Sequence, residues 1–185
     1  MAEYYLISQL PSLDGIGENM PVPITEERFL ELCRGLLGKK AWREMEKLTL
    51  LPPIIPEKTC SALLDAWYEG ERNLRLALCK VRAEKMNKPF DLQNKSLSIE
   101  VVKTANDAVE AKNPMEAESF LSAYRLNFLE TLRPRDNFSE DFVFYYGLKL
   151  KLIMRMRRFD AKLGETAYRN IYGSIINGDR LEAVK

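Results

Sequence analysis

The stretch SEDFVFYYGLKLKLIMRMRRFDAKLG, Ser139 to Gly164, decides the fold class. Tyr145, Leu148, Leu152, Met156, Phe159 and Leu163 recur at spacings of three or four, one stripe of an α-helix. Phe142, Tyr146, Leu150 and Ile153 form a second apolar face in its first half. A helix that is apolar on two sides belongs in the centre of its domain. Ser139 can take up a free backbone N–H at the start, and Glu140 and Asp141 suit the positive end of the helix dipole. The predicted helix runs to about Leu163 and stops at Gly164.

Beside the first stripe, Lys151, Arg155, Arg158 and Lys162 align at spacings of four, three and four. Like charges so placed repel by a few tenths of a kcal/mol per pair, roughly, so something must neutralise them. Carboxylates of a neighbouring helix would do so, with Glu69, Glu71 and Glu84 as candidates. An acidic partner protein would also do so, which makes these four residues the candidate partner-binding site. Phosphate or nucleic acid is the third option, disfavoured because the stripe is short and the whole chain nearly neutral.

Upstream, Asn113-Pro114-Met115-Glu116 combines a capping side chain, proline at the first helical position and a glutamate placed for a capping box. The helix it starts carries Ala117, Leu121, Tyr124, Phe128 and Leu132 on one face, and Arg133-Pro134-Arg135 breaks it. A weaker helix covers Ile99 to Ala111. Glu57 to Lys85 reads as one long helix, with Cys60, Leu63, Trp67, Leu74, Leu78 and Val81 on a nearly heptad stripe interrupted at Gly70/Glu71. Gly70 costs about 1 kcal/mol inside a helix, which close approach of a facing helix would explain. The cluster Tyr68-Glu69-Gly70-Glu71-Arg72-Asn73 could do acid–base work if buried. A solvated helix face with Glu69–Arg72 and Glu71–Arg75 ion pairs is the plainer reading.

Nearer the start, Thr25 with Glu26 and Glu27 opens a helix carrying Phe29, Leu32, Leu36 and Leu37, with Gly38 as its stop. A short helix from Lys39 to about Thr49 places Trp42, Met45 and Leu48 together, and Pro52, Pro53 and Pro56 end it. Leu10 to Pro23 is a loop. Tyr4 to Ser8, aromatic and β-branched, is expected to be extended. A final helix is expected from Glu165 to about Asn177, followed by a polar tail. The expected fold is all-α: one domain, an antiparallel helical bundle with two long central helices and a short extended N-terminal segment.

Composition narrows the function classes. The 185 residues are 46% hydrophobic and 30% charged, an ordinary globular balance. With 28 basic and 27 acidic residues the net charge is +1, which argues against a dedicated nucleic-acid binder. The sequence contains no histidine, so the commonest general base and metal ligand are missing. Cys33, Cys60 and Cys79 are too dispersed for a zinc site and odd in number, reading as buried or half-buried thiols of a reducing cytosol. Gly35-Leu-Leu-Gly38-Lys39-Lys40 lacks the spacing of a phosphate loop. No catalytic residue, cofactor or metal site is expected. Neither a signal peptide nor a membrane-spanning stretch is visible, so a soluble cytoplasmic protein is expected. A carboxylate–tyrosine enzyme built on Tyr68, Glu69, Glu71 or Tyr145 has no motif behind it.

Three segments carry a resemblance: Tyr4 to Leu13 (YYLISQLPSL), Ala66 to Leu74 (AWYEGERNL), and Arg158 to Gly164 (RFDAKLG) followed by Tyr168 and Ile171. Together they resemble a short bacterial family of unknown function encoded beside V-type ATP synthase genes. Members of that family are at times described as the socket component of the machine, the all-α piece that joins the rotor shaft to the membrane proteolipid ring. The resemblance implies a non-catalytic helical component, accessory or assembly protein of a V/A-type rotary ATPase. Its role would be that of a socket-like adapter between stalk and membrane ring, peripheral to the membrane through its protein partners. The chain is shorter than the usual socket protein and could supply only part of it. On this reading Lys151, Arg155, Arg158 and Lys162 meet acidic residues of a stalk or ring protein. A free-standing helical regulator that binds an unrelated protein, or a ligand in the bundle interior, is the alternative.

Overall fold

The computed structural model describes residues 2–16, 21–92, 95–157, 164–166 and 168–173. The fold is all-α, and no strand occurs among the described residues. The helices are α1 (Ala2–Gln9), α2 (Glu26–Leu36), α3 (Lys39–Glu46), α4 (Ala62–Lys85), α5 (Ile99–Glu110), α6 (Pro114–Thr131) and α7 (Glu140–Arg157). Residues 164–166 and 168–173 are helical as well.

Capping chemistry sets most of the starts. Thr25 accepts from the Arg28 N–H, Ser98 from Val101 and Asn113 from Glu116, each satisfying a donor that the first helical turn leaves free. The Ser139 hydroxyl does the same for Phe142. α7 then buries Val143 through Leu150 and Leu152, packing against α2, α3, α4 and α6. It is the central helix that its two apolar faces predict. Residues 158–163, expected to continue it, lie outside the described residues.

The N-terminal segment is a correction. Ala2–Gln9 is the helix α1, not an extended strand. Leu6 is fully buried, and Ile7 and Leu10 pack against the same core, a helical spacing rather than an alternation. Tyr4 stacks on Phe138 with ring centroids 4.6 Å apart, while the Ser8 hydroxyl donates to the Tyr5 carbonyl. Burial of Leu6 against the core outweighs the β-preference of Tyr and Ile over so short a run.

Other boundaries shift by a turn. α4 starts at Ala62, because Ser61 is its cap and the Thr59 N–H donates to the Asp65 carboxylate at 2.8 Å. Ser61 also donates to Asp141, tying the start of α4 to α7. α3 ends at Glu46, and the Thr49 hydroxyl instead accepts from the Leu51 N–H. Gly38 stands at the start of α3 rather than closing α2. Of the thiols, Cys33 is buried and Cys60 half-buried, but Cys79 is exposed.

The buried apolar residues fall into two clusters. The larger joins Leu6, Phe29, Met45, Trp67, Leu129 and the buried face of α7. The smaller joins Leu74, Ala77, Leu78 and Val81 of α4 to Ala105 and Ala108 of α5 and Leu121 of α6. Two glycines leave room for facing side chains. A Cβ on Gly70 would lie 2.3 Å from Cε1 of Phe128, so the Phe128 ring of α6 occupies the space that a side chain there would need. A Cβ on Gly147 would lie 2.9 Å from Leu48 and 3.1 Å from Phe29, which brings α7 against α2 and the end of α3.

Candidate functional site

Charge is concentrated at two places in the interior. The first is the seam between the apolar clusters. Glu71 of α4 and Arg125 of α6 are both buried, at 3% and 5% exposure. Arg125 donates from Nε to Oε2 of Glu71 at 2.9 Å and from Nη2 to Oε1 at 3.0 Å, a bidentate fork, and Arg75 adds Nε to Oε1 at 3.0 Å. Glu118 stands 3.8 Å from Arg125 Nη1 and accepts from Arg155 of α7. The ladder Arg75–Glu71–Arg125–Glu118–Arg155 thus crosses α4, α6 and α7. Arg125 Nη1 itself is buried without a hydrogen-bond partner.

Glu71 is therefore not on a solvated face. It fills the gap in the α4 stripe, four residues after Trp67 and three before Leu74, and Arg125 sits midway between Leu121 and Leu129 on α6. A polar residue at stripe register was the available signal. The Glu71–Arg75 pair is present as expected, and no Glu69–Arg72 pair occurs among the described residues.

The second place is Lys149, on the inward side of α7 and 8% exposed. Its ammonium donates to Asp14 at 2.5 Å, to Glu130 at 2.7 Å and to the Tyr145 hydroxyl at 3.3 Å. Tyr145 in turn donates to Glu130 at 2.7 Å. Burial works against the charge of Lys149, but the hydrogen bonds to Asp14, Glu130 and Tyr145 prevail and hold its pKa above the usual lysine value. The Lys149 hydrogen bond likewise holds Asp14 below the usual carboxylate range. For Glu130, burial pushes up, while the Lys149 and Tyr145 hydrogen bonds carry the net shift downward. Burial raises the Tyr145 phenol, and acceptance of its proton by Glu130 raises it further. A cavity of about 210 Å³ adjoins this group, lined among others by Leu10, Pro11, Phe142 and Tyr146. Tyr146 donates across it to the Pro11 carbonyl at 2.8 Å. All three ammonium protons are engaged, so Lys149 holds the loop after α1 onto α7 and presents no free nucleophile.

The basic stripe divides. Lys151 pairs with Glu26 at the start of α2, and Arg155 with Glu118 of α6. Carboxylates of neighbouring helices neutralise both, though these are not Glu69, Glu71 or Glu84. Arg158 and Lys162 lie outside the described residues. Tyr68 is buried, and burial raises its phenol pKa. Among the described residues no three His, Cys, Asp or Glu side chains converge as metal ligands, and no helix is long and apolar enough to cross a membrane.

Fold and interior charge define an all-α protein whose helices are cross-braced by ion pairs. The chain belongs to a protein family of unknown function, DUF2764, whose model matches residues 87–179. That span contains α5, α6 and α7, hence Arg125, Glu130 and Lys149, but not their partners Glu71 and Asp14. No curated protein and no solved structure matches the chain.

Proposed function

We propose that this protein is a non-catalytic helical component or assembly factor of a V/A-type rotary ATPase, a socket-like adapter between stalk and membrane ring. The reading rests on the resemblance carried by residues 4–13, 66–74 and 158–164, and one structural observation supports it. Leu51-Pro-Pro-Ile-Ile-Pro56 lies in the connection between α3 and α4, with Ile54 wholly exposed and Ile55 70% exposed. Contiguous apolar side chains of this kind are characteristic of surfaces covered in an assembly. Three prolines in six residues restrict the loop before binding and so reduce the entropy lost on docking. The internal ion pairs suit a load-bearing part, because they fix the register of α4, α6 and α7. In the same proposal Arg158 and Lys162 supply the basic contact to an acidic stalk or ring protein. A partner would have to displace Glu26 and Glu118 to engage Lys151 and Arg155.

Affinity purification of the tagged chain from its own host, followed by mass spectrometry, tests this. Stalk or ring proteins should be enriched with the wild type and lost with Ile54→Asp/Ile55→Asp, a change at exposed positions that leaves the helical circular dichroism unaltered. Purification free of rotary-ATPase components removes the proposal.

A further inference from the structure

A second concavity has a lining distinct from that of the cavity beside Lys149. A groove of about 550 Å³ lies between α4, α6 and the start of α5. That volume falls in the range of roughly 300–1,000 Å³ typical of small-molecule sites. Its apolar lining is Ala66, Gly70, Val101, Phe128, Leu132 and the Tyr124 ring. Gly70 is bare so that Phe128 can lie against α4, and the same contact shapes the groove floor.

The polar lining has one sign. Glu69 and Glu100 bring carboxylates, while Asn73, Ser98, Asn127 and Thr131 bring amide and hydroxyl groups, and no lysine or arginine is among the described lining residues. Glu71, Glu118, Glu130 and Asp14 all have cationic partners. Glu69 and Glu100 have no salt bridge to a described residue. One cation does reach the groove's lining: the exposed Lys95 donates its ammonium to Asn73 Oδ1 at 3.4 Å.

Two exposed carboxylates and two aromatic side chains on the lining of one concave surface favour one ligand chemistry. The carboxylates supply charge-assisted hydrogen bonds, the ring faces attract a cation, and the apolar floor takes a hydrocarbon chain. Among the described residues no third carboxylate, histidine or cysteine joins Glu69 and Glu100 to hold a metal ion, and the two carboxylates repel an anion. We propose that this groove binds a small organic cation, an alkyl ammonium or guanidinium compound, with its charged end at Glu69 and Glu100 and its methylenes along Val101, Tyr124 and Phe128. The site is independent of the rotary-ATPase reading and stands or falls separately from it.

Titration of the 15N-labelled full chain with spermidine and with agmatine, using glutarate as the anionic control, tests the proposal. Saturable shifts should be confined to the groove residues, and each of Glu69→Gln and Glu100→Gln should weaken binding about two- to fivefold, the scale of one exposed ion pair. Both positions are exposed, so the variants should keep the wild-type spectrum elsewhere. Glu110→Gln, a surface carboxylate on α5 away from the lining, should leave the affinity unchanged. Absence of saturable binding by both cations overturns the site. So does equal weakening by Glu110→Gln, which would mean diffuse attraction to acidic surface, or comparable binding of glutarate.

Discussion

Arg125 grips Glu71 through two parallel hydrogen bonds, at 2.9 and 3.0 Å, at the boundary where one apolar cluster ends and the other begins. On α4, Tyr68 belongs to the larger cluster and Leu74 to the smaller; on α6, Leu129 and Leu121 divide the same way. Sliding α6 by one turn would separate the two charges and leave both in apolar surroundings, a penalty of several kcal/mol for each. The pair thereby specifies register.

Breaking the pair should be expensive. Arg125→Met leaves Glu71 with Arg75 as its only cation and should destabilise the protein by about 3–5 kcal/mol. A paired replacement, Glu71→Leu with Arg125→Met, should recover most of that loss by filling the volume without charge. Denaturant unfolding of the singles and the double gives the coupling directly. A single-variant cost below about 1 kcal/mol, the scale of exposed pairs, would show that the pair is solvated.

Gly70→Ala should destabilise despite alanine's better helix propensity. Propensity alone predicts a gain of about 1 kcal/mol. The new methyl would meet the Phe128 ring at 2.3 Å, and overpacking of that kind costs about 1–3 kcal/mol. Phe128→Leu in the Gly70→Ala background should restore part of the loss. Thermal melting of the wild type and both variants distinguishes the two effects by sign.

The Lys149 group makes stability pH-dependent at both extremes. Asp14 and Glu130 titrate lower in the folded chain than their ordinary values of 3.8 and 4.5. Their contribution is present above those values and is lost as pH falls through the folded pKa values. Lys149 titrates above its ordinary 10.5, so its contribution is intact below that pH and is lost as pH rises further. Lys149→Met should flatten both limbs of a plot of unfolding midpoint against pH. Parallel curves for variant and wild type would show that the three groups are not coupled.

Thiol reactivity should follow depth. Burial pushes the Cys33 thiol up to about 12, so almost none of it is thiolate at neutral pH. Burial, with Glu44 and Glu140 nearby, also raises Cys60, whereas Cys79 is exposed. Iodoacetamide under native conditions should alkylate Cys79 first, Cys60 more slowly and Cys33 only after denaturant is added. Peptide mass mapping over time reads the order, and early labelling of Cys33 would contradict the buried placement.

Periodicity and capping determined most of the fold in advance. The all-α class, the central place of α7 and the starts of α2, α5, α6 and α7 all follow from interactions within a few residues of each other along the chain. Where a boundary failed, a distant contact had intervened: Leu6 in the larger core turned a β-prone run into α1, and Ser61, bonded to Asp141, set the first residue of α4. The pairing of charges belonged wholly to the tertiary structure. Glu71 and Arg125 are 54 positions apart and Lys149 and Asp14 are 135 apart, and no local pattern ranks one carboxylate over another for a given cation. The Glu69–Glu100 groove is of the same kind, because its lining comes from separate helices. Local free-energy differences select secondary structure, but which charges lose their water is decided only when helices meet, and that desolvation determines their partners.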